Sequence, residues 1–254
     1  DVLQRHKTAI GSRADEGLSY RVIPTLVNAA DYGIPQRRER VFIVGFRQDI
    51  SAQWAFPEET HSSEALLHSQ WISGEYWDTH RISLKQRAPL TRTEQRAIDR
   101  LQSLYSLNLS PRCRPWLTVR DALRGLPNPE HVATSTHNHR LQTGARVYPG
   151  HTGSPLDQPS KTLKAGDHGV PGGENMMVRD DGSVRYFTVR ESARLQTFPD
   201  GYVFHGSWSE AMRQLGNAVP VELGRRVAAS VAEHLLLVDE QAVSKQLTRC
   251  QALV

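Results

Sequence analysis

The stretch that decides the fold runs from Tyr32 to Gly45 and reads Tyr-Gly-Ile-Pro-Gln-Arg-Arg-Glu-Arg-Val-Phe-Ile-Val-Gly. Its apolar run, Val41–Val44, is typical of a β-strand that is buried on both faces. Because side chains alternate between the two sides of an extended chain, Gln36, Arg38 and Arg40 share one side. The pattern therefore predicts a buried strand with two guanidinium groups and an amide beside its beginning.

Two interpretations of the arginine pair follow from the residues alone. A guanidinium carries a planar fork of donors that matches a phosphate or a polar carbonyl oxygen, which favours a binding site. Cations beside a buried strand cost free energy unless something compensates them. The second interpretation is therefore a cluster that pairs with nearby acids, and the stretch by itself leaves both open.

The composition excludes several classes of protein. The chain has 254 residues, of which 38% are hydrophobic and 23% charged, and its mean hydropathy of −0.51 fits a globular protein. No apolar run reaches the ~18 residues that a membrane helix needs. Two cysteines, Cys113 and Cys250, cannot form a disulfide framework and fit a reducing compartment. Because the chain begins at Asp1 rather than Met, we expect a fragment or a processed chain.

The positive charge is concentrated in one part of the chain. Residues 51–80 hold five acids and no Lys or Arg, whereas residues 81–146 hold twelve bases against four acids. A concentrated basic region is the electrostatic footprint of a polyanion, usually nucleic acid. A solvated arginine-rich surface explains the same counts, so charge alone leaves both interpretations open.

Patterns on either side of the stretch predict further elements. Residues 20–28 form a predicted strand, and residues 47–86 follow no regular pattern. Capping boxes, which begin helices, stand at Thr91-x-x-Glu94, Thr118-x-x-Asp121, Thr188-x-x-Glu191 and Ser207-x-x-Glu210. The first of these helices carries Arg92, Arg96 and Arg100 on one face, either against DNA or in solvent.

The sequence after Ser207 predicts two helices. Gly216 is expected to end the first of them in a left-handed cap. The second helix is amphipathic, with apolar residues at four-residue steps: Val219, Leu223, Val227, Val231 and Leu235. We expect it to pack on the strand at residues 40–46 and to fray after about Asp239.

The quoted stretch closely resembles the Gln-x-Arg-x-Arg motif of cytosine-5 DNA methyltransferases. Two later blocks resemble that family in the family's order. Residues 190–200 resemble its Arg-Glu-x-Ala-Arg…Phe-Pro-Asp block, and residues 216–219 resemble its Gly-Asn-(Ala/Ser)-Val block. Residues 118–127 and 159–163 resemble segments near the start and the end of its target-recognition region. The resemblance covers about residues 20–237.

The resemblance implies a cytosine that is flipped out of the duplex and methylated at carbon 5 by S-adenosylmethionine. In this family a cysteine thiolate adds to carbon 6, and a preorganised guanidinium stabilises the negative charge that builds on the ring. By resemblance Arg40 contacts the exocyclic oxygen of the base, Arg38 supports Arg40, and Gln36 lies beside them. These three are the expected catalytic residues.

The resemblance also implies residues that bind the cofactor and the DNA. Asn217 and Ala218 are expected to line the S-adenosylmethionine pocket, where a backbone N–H also suits an anionic group. Thr162 is expected to contact a DNA phosphate. Lys161 and Lys164 are further candidate phosphate contacts, with solvated surface lysines as the alternative.

Three motifs of the family have no counterpart in the chain. These are the Gly-rich cofactor loop of Phe-x-Gly-x-Gly type, the Pro-Cys nucleophile and the Glu-Asn-Val that supplies an acid. Cys113 stands in Ser-Pro-Arg-Cys-Arg-Pro, which is not the setting of the nucleophile. We therefore expect the chain alone to be inactive, as the C-terminal part of a longer polypeptide or as one subunit of a split enzyme. Its expected partners are double-stranded DNA and the N-terminal methyltransferase part, at the nucleoid in a prokaryotic cytoplasm.

The predicted fold class is α/β, with the end of a Rossmann-like methyltransferase domain and a smaller, mixed, loop-rich target-recognition domain. Residues 1–50 and 186–239 are expected to supply the C-terminal strands and closing helices of the catalytic domain. Residues 51–185 are expected to form the DNA-binding recognition domain, and residues 240–254 a tail. Arg190 and Arg194 are expected to brace the recognition domain through ion pairs.

Two other functions fit part of the pattern. A non-catalytic, sequence-specific DNA-binding subunit of a restriction-modification system needs the basic region, but it has no use for an arginine pair shaped as an active site. The second is a metal-dependent nuclease, which is suggested by five loop histidines: His131, His137, His139, His151 and His168. No carboxylate stands at metal-ligand spacing from them, and zinc binding with Cys113 lacks a Cys-x-x-Cys pair. No metal site is therefore predicted.

Overall fold

The computed structural model describes residues 19–50, 53–105, 111–130, 136–150, 152–165 and 175–251. These residues form a mixed α/β structure, and the chain divides into two compact units. One unit consists of Asp1–Leu26, Val41–Phe56 and Ala228–Val254, and the other of Val27–Arg40 and Pro57–Val227. The domain boundaries that the sequence predicts at residues 50, 185 and 239 remain a prediction.

Strands and helices are numbered along the described residues. The strands are β1 (Tyr20–Asn28), β2 (Glu39–Arg47), β3 (His61–Ser62), β4 (Arg114–Pro115), β5 (Ser154–Pro155), β6 (Met176–Val178) and β7 (Val184–Tyr186). The helices are α1 (Ser63–Trp71), α2 (Glu75–His80), α3 (Arg92–Tyr105), α4 (Val119–Leu123), α5 (Val189–Leu195), α6 (Trp208–Asn217) and α7 (Val221–Gln251). Short 3₁₀ helices span Ala29–Tyr32 and Leu84–Gln86.

The strands form three small sheets within the described residues. β1 pairs with β2, and β3 runs parallel to β4. In the third sheet β6 lies between β5, which is parallel to it, and β7, which is antiparallel to it. No helix in the described part of the chain is both long and apolar enough to cross a membrane.

β1 has the predicted bounds, and β2 extends beyond the predicted apolar run. Phe42 and Val44 are half-buried and Phe46 is buried, whereas Val41 and Ile43 are 62% and 58% exposed. The prediction of a strand buried on both faces is therefore wrong for the described residues. A second buried face requires a second layer of packing, and the described elements cover one face of this two-stranded sheet.

The last helix packs on β2, as predicted. Phe46 and Trp54 are buried, and Val231 and Leu235 of α7 pack against them within one compact unit. The indole Nε1 of Trp54 donates a hydrogen bond to Ser230 Oγ at 2.9 Å. Apolar side chains at four-residue spacing thus place the middle of α7 on β2.

Two details of the last helix differ from the prediction. The helix continues to Gln251, because residues 239–249 contain strong helix formers although they are polar. Val219, expected to be the first residue of the apolar stripe, lies before the helix and is 48% exposed. The start of the helix is fixed by Val221 N, which donates to Gln196 O at 3.0 Å.

All four capping boxes begin helices at the predicted places. The hydroxyl groups of Thr118, Thr188 and Ser207 accept hydrogen bonds from the backbone three residues later, and Thr91 does the same at the start of α3. The arginines at positions 92, 96 and 100 lie on an exposed face of α3, and Ile98 and Leu101 are buried.

The prediction that residues 47–86 are irregular is wrong, because they contain α1 and α2. These helices contribute to a buried apolar cluster that consists of Leu66, Tyr76, Trp77 and Ile82. α1 has no continuous apolar stripe and α2 has only six residues, so neither produces the periodicity that identifies a helix. A cap was the available signal: Ser62 Oγ accepts from Ala65 N at 3.1 Å.

Gly216 serves close packing rather than helix capping. α6 continues through Asn217, and the next residue, Ala218, is extended with φ −69° and ψ 151°, so the predicted left-handed cap at Gly216 is wrong. A Cβ on Gly216 would lie 2.3 Å from the backbone N of Ala165 and 2.5 Å from its Cα. Because two backbones meet here, only glycine fits.

We expect Gly216→Ala to lower the free energy of unfolding by about 3 kcal/mol, because the added methyl overlaps backbone atoms. Gly224→Ala is the matched control, since its Cβ would meet nothing closer than Val219 Cγ1 at 4.0 Å. The control should gain roughly 0.5–1 kcal/mol from helix propensity. Urea denaturation measures both, and equal stability of the two variants would contradict the close approach.

Candidate active site

The segment 160–165 lies beside the Gln-x-Arg-x-Arg stretch, although the two are far apart in the chain. Gln36 and Ser160 form a parallel β-bridge, and Arg37 N donates to Ser160 O at 2.8 Å. Thr162 Oγ1 donates to Arg37 O at 2.8 Å. The predicted base-binding stretch and the predicted phosphate-binding threonine therefore share one backbone frame.

Arg38 is buried at the centre of this frame, with 1% of its surface exposed. Its guanidinium donates to three backbone carbonyls: Leu163 O at 3.2 Å, Gly216 O at 2.7 Å and Ala218 O at 3.0 Å. Burial and the nearby charge of Arg40 lower the pKa of Arg38 to about 10, so it remains a cation at neutral pH. One side chain thus joins the motif, the segment after Ser160 and the end of α6.

Burial along the motif follows the predicted alternation. Gln36 and Arg38 are buried, and Arg40 on the same side is half-buried. Arg37 and Glu39, on the other side, are exposed. The partners of Arg38 are carbonyl oxygens, so the alternative of a cluster paired with acids does not describe it. Both amide atoms of Gln36 are buried without a hydrogen-bond partner in the described part of the chain, which is costly unless a further group satisfies them.

Arg40 differs from Arg38 in having donors to spare. Its Nη1 donates to Glu39 O at 2.6 Å, an exposed and local hydrogen bond. This is the one hydrogen bond that its guanidinium makes within the described chain. A half-buried guanidinium whose remaining donors are unused is able to bind an incoming carbonyl oxygen or anion.

The two residues predicted to line the cofactor pocket lie next to Arg38. Asn217 is the exposed last residue of α6, and its side-chain amide makes no hydrogen bond within the described chain. Ala218 N donates to Gln214 O at 3.1 Å and to Leu215 O at 3.2 Å. The backbone N–H of Ala218 is therefore occupied, and the expectation that an N–H here meets an anion does not apply to this residue.

The lysines predicted to contact phosphate lie on either side of Thr162. Lys161 Nζ donates to Thr152 Oγ1 at 2.8 Å, and Lys164 is exposed. The buried side chain of Asn175 holds the backbone of Lys164 at both ends, with each hydrogen bond at 3.2 Å. Sequence reasoning missed Asn175, because no motif or periodicity marks a residue whose role is to hold a distant backbone.

The two arginines expected to form bracing ion pairs behave differently. Arg194 fits the expectation, since its bidentate ion pair with Asp200 has hydrogen bonds of 2.6 and 2.8 Å. The hydrogen bond from Arg194 holds the pKa of Asp200 below its usual range. Arg190 is fully buried and donates to backbone carbonyls, including His137 O at 3.1 Å. The predicted ion pair is therefore wrong for Arg190, because carbonyl groups satisfy its donors.

One of the two described histidines of this group, His139, has structural contacts through its side chain. His139 is 2% exposed, with Nδ1 2.8 Å from Thr188 Oγ1 and Nε2 2.7 Å from Pro127 O. Three of the five histidines, His131, His151 and His168, lie outside the described residues. Within the described ranges, no group of three or more His, Cys, Asp or Glu residues is arranged to hold a metal. The thiol of Cys113 lies 3.9 Å from Glu59 O.

Comparison with known proteins adds an independent observation. The sequence profile of the family described as C-5 cytosine-specific DNA methylase matches residues 5–233. Type II methyltransferase M.BspRI of Lysinibacillus sphaericus is 30% identical over 227 residues, which are 84% of this chain and 44% of that protein. Type II methyltransferase M.SacI of Streptomyces achromogenes is 30% identical over 245 residues, 85% of this chain and 53% of that protein.

A solved structure is also similar. The putative DNA modification methyltransferase encoded within an Escherichia coli prophage has a TM-score of 0.48 at 17% identity, over 92% of this chain and 67% of that one. The chain spans about half the length of each of these two curated relatives.

We expect Arg38→Ala to lower the free energy of unfolding by about 3 kcal/mol or more, because three buried carbonyls lose a charged donor. Arg38→Lys should recover only part of this loss, since an ammonium cannot span the same fork of acceptors. Arg37→Ala, at an exposed position of the same stretch, is the control and should stay within about 0.5 kcal/mol. Thermal and urea denaturation test this, and a stable Arg38→Ala protein would show that the carbonyls find other donors.

Proposed function

Because the chain belongs to the C-5 cytosine-specific DNA methylase family, we propose that it is the C-terminal portion or a subunit of a DNA (cytosine-5-)-methyltransferase. The complete enzyme transfers a methyl group from S-adenosylmethionine to carbon 5 of a flipped cytosine in a specific DNA sequence. This chain supplies target recognition and the arginines that bind the base. It works on double-stranded DNA, at the nucleoid in the cytoplasm of a prokaryote.

The observation that carries the proposal is the division of labour between Arg38 and Arg40. Arg38 is held by carbonyls and cannot turn toward a substrate. Arg40, two positions on and on the same side, keeps unused donors at a half-buried position. A rigid frame that presents a free guanidinium suits a reaction in which negative charge builds on a neutral ring.

Arg40 holds the exocyclic oxygen of the extruded cytosine. When a thiolate adds to carbon 6, electron density moves onto the ring, and a guanidinium already at that oxygen stabilises the charge without having to reorganise. Arg38 is a positioning residue that fixes the backbone on which Arg40 stands. Gln36, whose buried amide atoms have no hydrogen-bond partner among the described residues, lies on the same side of the stretch.

Asn217 and Ala218 contribute the part of the S-adenosylmethionine pocket that this chain provides. The exposed side-chain amide of Asn217 supports this assignment, because its donor and its acceptor are both unused within the described residues. An amide of this kind is able to bind the polar groups of the cofactor, and the methyl group of Ala218 lies next to it. The bound cofactor supplies the methyl group.

The remaining machinery comes from the N-terminal methyltransferase part, in the same polypeptide or in a separate subunit. We assign to it the Pro-Cys nucleophile, the acid of Glu-Asn-Val and the Gly-rich cofactor loop, for which this sequence has no counterpart. Cys113 is not assigned as the nucleophile, because it follows an arginine rather than the proline of a Pro-Cys motif. Its thiol lies 3.9 Å from the backbone carbonyl of Glu59. This chain alone is therefore inactive.

DNA contacts are assigned to two lysines and to Thr162, whose hydroxyl must release Arg37 O in order to donate to a phosphate oxygen. Lys161 and Lys164 flank Thr162 on a segment that Asn175 and Arg38 hold in place. Such contacts to phosphate set the register of the protein on the duplex, whereas the sequence is read by other groups in the grooves. A second basic surface is the exposed face of α3.

In the enzyme reconstituted with its N-terminal part, Arg40→Ala should lower kcat for methyl transfer by about 10²–10³, because it removes one preorganised donor. DNA affinity should change little. Arg37→Ala, exposed on the opposite side of the stretch, is the matched control and should keep both values. Transfer of labelled methyl groups to DNA measures kcat. An unchanged kcat for Arg40→Ala would remove the assigned role, and specific DNA binding without methyl transfer by the wild type would favour the non-catalytic subunit.

Replacing the arginines of α3 tests the second basic surface. The variant Arg92→Gln/Arg96→Gln/Arg100→Gln should weaken DNA binding for all sequences alike and reduce the slope of log affinity against log salt by about 1 per lost phosphate contact. Glutamine preserves helix propensity, so the helix should remain folded. Fluorescence anisotropy over a salt series provides the measurement, and an unchanged slope would identify this face as solvated only.

A further inference from the structure

A concave site elsewhere in the described chain shares no lining residue with the candidate active site. It is a cavity of about 650 Å³ between the end of α2, the end of α4 and strands β6 and β7. Its lining includes four large apolar residues, Leu123, Leu126, Leu156 and Met177. A cavity of this size accommodates a nucleotide rather than a single ion.

The wall of the cavity is rich in arginine. Three wall arginines are held by carboxylates: Arg120 by Asp157 and Asp180, Arg179 by Glu130, and Arg185 by Glu191. Glu191 is the single acidic residue among those that line the cavity, and its two oxygens accept from Arg185 at 2.5 and 2.7 Å. These ion pairs fix the wall, and among the described lining residues no carboxylate is left free.

Two further arginines, Arg81 and Arg124, line the cavity without such a partner. Both are exposed, and neither guanidinium makes a hydrogen bond or ion pair within the described residues. The nearby carboxylate of Asp121 is already used, by His80 Nε2 at 2.9 Å and by the cap of α4 at Thr118. The unpaired charge at the cavity is therefore positive.

The backbone at Arg81 supports a role for this side chain. Arg81 ends α2 in the left-handed conformation, with φ 55°. Helices usually use glycine or asparagine there, because other side chains are strained. A strained arginine at the mouth of a cavity is a pointer to function, since such strain concentrates at binding sites.

We propose that this cavity binds a phosphate group, with Arg81 and Arg124 as its two donors and the apolar lining residues in contact with the attached sugar. Two guanidinium forks match the oxygens of a phosphate, and the anchored wall adds hydrogen-bond donors that need no rearrangement. The phosphate comes either from the DNA backbone or from a free nucleotide. The DNA source rests on the proposed function, whereas binding of a free nucleotide does not.

The test is the double variant Arg81→Gly/Arg124→Ala in the reconstituted enzyme. Glycine accepts φ 55° without strain, so the fold should be preserved, and thermal denaturation checks it. Arg213→Ala/Arg225→Ala removes the same charge from exposed positions outside the cavity and is the matched control. Arg81→Lys/Arg124→Lys keeps the charge and removes the forks. The probes are duplex DNA in a salt series and deoxycytidine monophosphate in calorimetry.

A DNA source predicts that the double variant binds DNA about tenfold more weakly, with a salt slope shallower by about 1, while the control is unchanged. A free-nucleotide source predicts unchanged DNA binding and loss of deoxycytidine monophosphate binding, with partial retention in the lysine variant. Equal effects of the double variant and the control, or no effect on either probe, would overturn the proposal. Methyl transfer by the wild type is measured separately, so a failure of the proposed function is visible on its own.

Discussion

The structure around the motif depends on one buried cation. The guanidinium of Arg38 donates to Leu163, Gly216 and Ala218, so a single side chain ties together three parts of the chain that are distant in sequence. A buried charge is tolerated only where its donors are satisfied, and carbonyl oxygens provide this without neutralising it. Arg38 therefore keeps its positive charge, close enough to Arg40 for the two charges to interact.

Several smaller constraints act on the same frame. Gly216 lets α6 approach the backbone at Ala165, and Asn175 holds Lys164 with two hydrogen bonds. Each of these contacts fixes backbone rather than contacting a substrate. A site whose supports are buried and polar is rigid, and rigidity is what preorganised electrostatic stabilisation requires.

Local sequence patterns predicted much of the secondary structure, but they could not predict contacts between residues that are distant in the chain. The capping boxes at Thr91, Thr118, Thr188 and Ser207 gave the starts of α3 to α6, because a cap acts within four residues. The alternation of the motif gave the common side of Gln36, Arg38 and Arg40, but not the burial of Gln36 and Arg38. By contrast, α1 and α2 lack an apolar stripe, so no periodicity marks them as helices. The exposure of one face of β2 depends on which elements pack against it, and the apolar run alone does not show this. The meetings of Arg38 with Gly216 and of Asn175 with Lys164 follow from tertiary folding, which no local pattern encodes.

The central claim is that Arg40 binds an extruded cytosine while Arg38 holds the frame. The most direct measurement is a crystal structure of the reconstituted enzyme with its DNA. We expect the Arg40 guanidinium to lie within about 3 Å of the exocyclic oxygen of the flipped base, with Arg38 still bonded to its three carbonyls. A flipped base that another cation holds, with Arg40 turned into solvent, would contradict it.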